Sequence, residues 1–293
     1  MHRLAALAVL LVLSLGAGPA PAQAPTKNFL WRVQDARGAV VHLAGSLHVL
    51  TPEFYPLSPA LEDTFAASKV LVEEIDLDEM SDPQKALTVV ARAMFTDGRT
   101  LEQAVSKDTY EDVRRRAERA GIPLVALQRM KPWMAAVALA TPMLQAAGFN
   151  PDLGIDKHFF DKAKARGMER RALESIAYQL DRFDQLSPAL QEQMLKATML
   201  DLDTQVANVK DVASAWASGN TATIERLLLG AMLESPELYD RLLVERNQNW
   251  MAPIEACLQK NAGCFVVVGA AHLVGPHGLP ALLQKKGYVV EQR

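Results

Sequence analysis

The chain has 293 residues, 49% of them hydrophobic and 22% charged, with 31 basic against 34 acidic side chains. That composition excludes a disordered tail protein and suits one large globular domain or two small ones. Apart from "RRRAER" at 114–119, which reads as a solvated helix face, no basic stripe stands out, so nucleic acid is excluded as a partner.

The opening "MHRLAALAVLLVLSLGAGPAPAQA" carries Arg3, then an apolar stretch, then small residues and prolines, the pattern of a secretory signal peptide. Cleavage fits after Ala22 or after Ala24. Ala22 is preferred because Pro25 would flank the other bond, so residues 1–22 are assigned to the signal and 23–293 to one mature domain. The segment has no cysteine to take a lipid, and no later stretch is apolar for long enough to span a membrane. The expectation is an exported protein, periplasmic or secreted, without an integral membrane segment once the signal is removed. Without Arg3 the balance is 30 basic to 34 acidic.

"FLWRVQD" and "AVVHLAG" flank the turn "ARG", which predicts a hairpin over residues 28–45. Ser58-Pro59 opens a helix as N-cap and first helical residue, and "KVLVEEIDL" is a strand running into acids. From 82 to about 147 the pattern is helical, cut at 96–100 and 120–124. An amphipathic helix follows at 152–167, with Ile155, Phe159 and Ala163 on one face, then a short strand in "MERRALES". Residues 175–258 read as helices punctuated at Ser187-Pro188, Gly219-Asn220 and Ser235-Pro236. "CFVVVGAAH", a helix near 278–286 and "GYVVEQR" close the chain as strand, helix, strand. The predicted fold class is α/β: a mixed central sheet built from N- and C-terminal strands, with a large helical insert at about 82–258. Cys257 and Cys264, the only cysteines, form an even and nearby pair. In an oxidising compartment that is a disulfide, since two cysteines alone leave a metal site incomplete.

Two segments share one pattern. "HLAGSLHVL" (42–50) and "VVVGAAHLV" (266–274) each run from an apolar strand through Gly and two further residues to His. In an α/β sheet functional groups gather beyond the carboxyl ends of strands, and a glycine there lets the backbone turn sharply. Side by side, two such strands would aim His48 and His272 at one crevice. A third strand ends in Glu73, Glu74 and Asp76, and two imidazoles with a carboxylate make a common shell for a divalent metal. The HExxH, GxSxG, GxGxxG and Walker patterns are missing, which removes support for ordinary zinc-protease, serine-hydrolase and nucleotide readings.

These motifs, with "KPWMAA", "GFNPDLGIDKHFFDKA", "ALES", "ERNQNWMAPI" and "FVVVGAAHLVGPHGLPALLQKKGYVV" in order and spacing, resemble the TraB/GumN family, which includes the Tiki proteins. The resemblance implies an α/β fold with paired GxxH strands, related to erythromycin-esterase-like and haem-binding-lipoprotein-like folds. For the Tiki branch it implies metal-dependent protease activity. Its motif histidines fall on His48 and His272, its strand-end glutamate on Glu74 with Glu73 as the fallback, its "RN" on Arg246-Asn247 and its "GxD" on Gly154 and Asp156.

The expectation is therefore an exported metal-dependent hydrolase acting on peptide bonds or a small-molecule substrate. His48, Glu74 and His272 would hold manganese, cobalt or zinc, Arg246 would steady an oxyanion, and Glu73 or Asp156 would move the proton. The rival is a non-catalytic periplasmic protein binding haem, a metal or a small ligand. A third reading is a metal-free hydrolase using His and Glu as acid and base.

Overall fold

A computed structural model describes residues 27–199 and 202–293. The proposed signal peptide lies outside the described residues. Six strands form one sheet: β1 (Leu30–Gln34), β2 (Val40–Ser46), β3 (Val70–Glu73), β4 (Glu169–Ala172), β5 (Cys264–Gly269) and β6 (Val289–Gln292). Their spatial order is β4-β3-β5-β2-β1-β6. The pairs β4/β3, β3/β5 and β5/β2 are parallel, while β1 runs antiparallel to both β2 and β6. This is the expected mixed α/β architecture, and the 28–45 hairpin is its β1/β2 pair.

One expectation needs correction. The sheet is not built from terminal strands alone, because β4 lies within 82–258 and joins the edge beside β3. Its "ERRA" sequence has no apolar face, since as an edge strand it is covered on few sides and three of its four residues are exposed.

Side-chain alternation sorts the sheet faces. Leu71 pairs with Phe265 in register, and Phe265 packs against Phe65 and Phe159, so this face meets the helices Pro59–Ala67 and Ile155–Ala165. Val70 pairs with Cys264, whose sulfur is bonded to Cys257 on the helix Glu245–Gln259, so the opposite face meets that helix. Parity therefore sends Glu73 toward the first layer and Glu74 toward the second. A second, smaller core holds the helical region together around Leu101, Val113, Leu127, Leu139 and Leu195. Among the described residues no helix is long and apolar enough to cross a membrane.

Most helix starts follow local chemistry. Ser58, Thr100, Ser106, Ser175, Ser187 and Asn220 each cap a helix through the side-chain oxygen, and Pro59, Pro132 and Pro188 occupy first-turn positions where the missing N–H costs nothing. Two π-helical turns, Glu225–Leu229 and Asp240–Val244, had no counterpart in the sequence pattern.

The chain leaves β3 toward β4 and leaves β5 in the opposite direction, toward β6, which makes the carboxyl ends of these neighbours the topological switch point of the sheet. The Cys257–Cys264 bond ties the helix Glu245–Gln259 to β5 across seven residues, and both cysteines are buried. Closing so short a loop removes about 2.5 kcal/mol of unfolded-chain entropy. The double variant Cys257→Ser, Cys264→Ser should lose about that much in urea unfolding at neutral pH. An unchanged midpoint would mean the bond restrains nothing the fold does not already hold.

Candidate functional site

The parallel register of β3 and β4 continues past their ends. Leu173 N–H donates to the Glu73 carbonyl at 2.8 Å and Glu174 N–H to the Glu74 carbonyl at 2.9 Å, which sets two glutamates side by side. Their shared counter-charge is Arg246, from the first turn of the helix Glu245–Gln259. Its Nη2 donates to Glu74 Oε2 at 2.5 Å and to Glu174 Oε1 at 2.7 Å, and its Nε donates to Glu174 at 3.1 Å. Nη1 donates to the Leu242 carbonyl at 3.2 Å and to His272 Nε2 at 3.1 Å. Every guanidinium hydrogen thus has an acceptor, and the ring of Trp250 lies 4.7 Å from its centre.

The rest of the cluster closes around this ion. Glu74 Oε1 accepts from the Gly269 N–H at 2.7 Å and Oε2 from Gln179 Nε2 at 2.9 Å, while Trp250 Nε1 donates to Glu174 at 3.0 Å. Because Arg246 can only donate, His272 Nε2 is the acceptor, and its Nδ1–H donates to Asn247 Oδ1 at 2.6 Å. His272 is therefore the neutral Nδ1–H tautomer. Burial, outweighing Glu74, pushes it down to about 3. Glu74 goes the other way: burial opposes its charge, yet Arg246, then His272 and His48, pull it down to about 2. Burial raises Glu174 despite Arg246.

His48 is placed differently. It lies two residues beyond β2, its side chain is 68% exposed, and Nδ1 is 3.1 Å from Asp156 Oδ2. Asp156 is fixed from below, with Ser46 Oγ donating to Oδ1 at 2.9 Å and the Asp156 N–H donating back to Ser46 Oγ at 3.3 Å. The Asp156 carboxylate raises His48 above an ordinary histidine, though water around the exposed ring screens that pull. Burial raises Asp156, and the charge and hydrogen bond of His48, with that of Ser46, more than reverse it.

The glycines of these motifs serve close approach rather than turning, which corrects the expectation of a sharp bend. Neither Gly45 nor Gly269 has a positive φ. A Cβ at Gly45 would run into the Phe29 ring, and one at Gly269 would stand 3.3 Å from Glu74 Oε1. Gly154 is the tightest of the site glycines against backbone: a Cβ there would lie 2.6 Å from the His48 carbonyl oxygen, so the "GxD" glycine lets the Asp156 helix reach β2.

The carboxyl ends of β2, β3 and β5 thus carry one site, and the family comparison can be set against it. The sequence matches the TraB/PrgY/gumN family over residues 29–292, nearly the whole chain. The chain belongs to that family. No curated protein and no solved structure matches this TraB/PrgY/gumN member.

Of the residues expected in the site, Glu74, Arg246 and His272 are in mutual contact, His48 and Asp156 pair beside them, and Glu73 points to the other sheet face from Glu74, toward the layer that carries Asp156. Glu73 is 4% exposed and its Oε1 has no hydrogen-bond partner; burial, with Asp156 and Asp76 adding to it, pushes its carboxyl up to about 9. Two partners were missed, Glu174 and Gln179, and a third, Asn247, was placed by the "RN" motif but given no role. For Glu174 the signal was its place in the motif "ALES". For Gln179 the sequence offers none.

The trio His48, Glu74 and His272 does not fit a divalent cation in this arrangement. Arg246 fills the space between Glu74 and His272 and occupies His272 Nε2, so of the trio only His48, through Nε2, keeps a ring nitrogen free for a metal. Among the described residues no three His, Cys, Asp or Glu side chains are disposed to hold a metal ion.

Two predictions follow from these charges. Arg246→Met leaves two buried carboxylates unpaired and should cost about 3–5 kcal/mol. Adding Glu74→Gln and Glu174→Gln should recover a large part of it in chemical unfolding, and no recovery would locate the loss in packing instead. Glu73, raised in the folded state, binds its proton there while the unfolded chain has released it, so stability drains away as pH rises from about 4.5 to about 9. Glu73→Gln should therefore stabilise at pH 8 and change little at pH 4; equal effects at both would contradict the burial argument.

Proposed function

We propose that this family member is an exported hydrolase of peptide or small-molecule carbonyl substrates. His48 transfers the proton at Nε2, Asp156 holds the ring, and the Glu74–Arg246–Glu174–His272 cluster supplies the fixed charge behind it. The observation that carries this is the contrast in exposure: His48 alone among the clustered groups faces solvent, with an oriented carboxylate on its other nitrogen. Raised by Asp156, His48 enters as an acid: as water adds to the carbonyl carbon and the bond to the leaving group breaks, His48 gives its proton to the leaving group and regains one from the attacking water. Activity then falls as pH rises through its elevated pKa. The expected kinship with erythromycin-esterase-like folds supports such a metal-free reading, and the buried cysteine bond supports an oxidising compartment.

A second reading has one observation in its favour. The buried cluster satisfies its own members so fully that it serves equally as the rigid floor of a non-catalytic binding site for a small ligand or haem.

The test is a panel of nitrophenyl esters and fluorogenic peptides, with metal content measured on the same preparation. Wild type should hydrolyse at least one class in the presence of EDTA, and His48→Ala and Asp156→Asn should each lose about 10²–10⁴-fold. Activity lost to EDTA and restored by manganese, cobalt or zinc would return the metal-dependent reading, with His48, Glu74 and His272 as ligands after Arg246 moves. No hydrolysis of any member would leave the binding reading.

A further inference from the structure

A cleft of about 280 Å³ lies at the same end of the sheet as His48 and is not used by the reading above. Its walls include Phe29, Phe54, Leu57, Leu61, Trp216 and Ala217. Because β1 is antiparallel to β2, the start of β1 lies beside the end of β2: Gly45 N–H donates to the Phe29 carbonyl at 2.9 Å. Trp216 Nε1 donates to the Gly45 carbonyl at 2.7 Å, and the Phe29 ring fills the space a Gly45 side chain would need. The Gly45 peptide is thus held by two cleft residues, three positions before His48. The segment that leaves His48 supplies Phe54 and Leu57 to the opposite wall. Cleft and histidine share one continuous stretch of backbone.

We infer that this cleft is the specificity subsite, taking an uncharged aromatic or short aliphatic group of the substrate whose carbonyl lies at His48. Size and lining select that occupant. Small-molecule pockets start at roughly 300 Å³, so this one accepts a single group and not a whole ligand. Among the described residues its wall includes no lysine, arginine or histidine, and the charged side chain at its rim is Glu53, so an anionic head would be repelled. The substrate role rests on the hydrolase reading, whereas occupancy of the cleft does not.

The experiment separates the two. Trp216 lines the cleft, so titration with 4-nitrobenzyl alcohol, a neutral aromatic quencher, reports occupancy through tryptophan fluorescence without turnover. Quenching should saturate in wild type and in His48→Ala, and be at least about tenfold weaker in Ala217→Phe, which fills the cleft from an exposed helix position. In the hydrolysis arm, nitrophenyl hexanoate should outrun the acetate in wild type and lose that advantage in Ala217→Phe. Phe54→Ala, which widens the cleft at a half-buried position, should move the preference toward longer chains. Linear quenching that is the same in wild type and Ala217→Phe would overturn the subsite. So would a wild-type dimer that Ala217→Phe dissociates, which would assign the cleft to a second copy. Saturable quenching without hydrolysis of any ester would keep the cleft as a binding site and remove the hydrolase reading instead.

Discussion

Arg246 is the constraint on which the site depends. Parallel pairing of β3 and β4 brings Glu74 and Glu174 together at one strand end, an arrangement that two buried carboxylates cannot sustain without a cation between them. The guanidinium suits the place because its five donors lie in one plane and reach both acids, the Leu242 carbonyl and His272 at once. A lysine has three donors on one atom and could not span that set. The helix that carries Arg246 is in turn anchored to β5 by the Cys257–Cys264 bond, so the two elements that deliver Arg246 and His272 are one covalently linked unit.

From that constraint follows the difference between the two GxxH motifs. β2 and β5 are adjacent and parallel, with Gly45 opposite Val268 and Ser46 opposite Gly269, so the sequence repeat is a real spatial pairing. Yet β5 continues into a short 3₁₀ turn, Ala270–Leu273, that folds His272 back under Arg246, whereas the chain after β2 runs outward and leaves His48 in solvent. One histidine is buried and neutral, while the other is exposed, with its pKa raised by Asp156. Of the two, only His48 has a ring nitrogen without a protein partner among the described residues.

Much of this was legible because it rests on local rules. Ser-Pro and Gly-Asn pairs marked helix starts, the apolar runs marked β2, β3 and β5, and the GxxH duplication marked the histidines. What escaped was what only strand pairing decides. The short strand in "MERRALES" was legible but its place beside β3 was not, and so Glu174, two residues past β4, went unassigned although its N–H donates to the carbonyl of Glu74, one residue past β3. Parity also settled Glu73 against Glu74, which a four-residue strand in a buried sheet cannot reveal by alternation, since all of its residues are buried. Gln179 reaches Glu74 from a helix that nothing in the sequence ties to β3. The π turn at Asp240–Val244, just before Arg246, has no compositional mark either.

A cluster so completely satisfied raises the question of what remains free to act. Arg246 has no hydrogen left for an incoming oxyanion, Glu74 already accepts from three donors, and His272 has both nitrogens engaged. Using any of these on a substrate would mean breaking a buried charged contact, at a cost that a passing ligand does not easily offset. His48 bears no such cost: its Nε2 side faces water, and the approach of Asp156, made possible by Gly154, already holds the ring. On the proposed reading the exposed histidine carries the chemistry, and the buried ions act through what they prevent. They keep the carboxyl ends of β3, β4 and β5 in fixed register, and with them the position of the strand that presents His48.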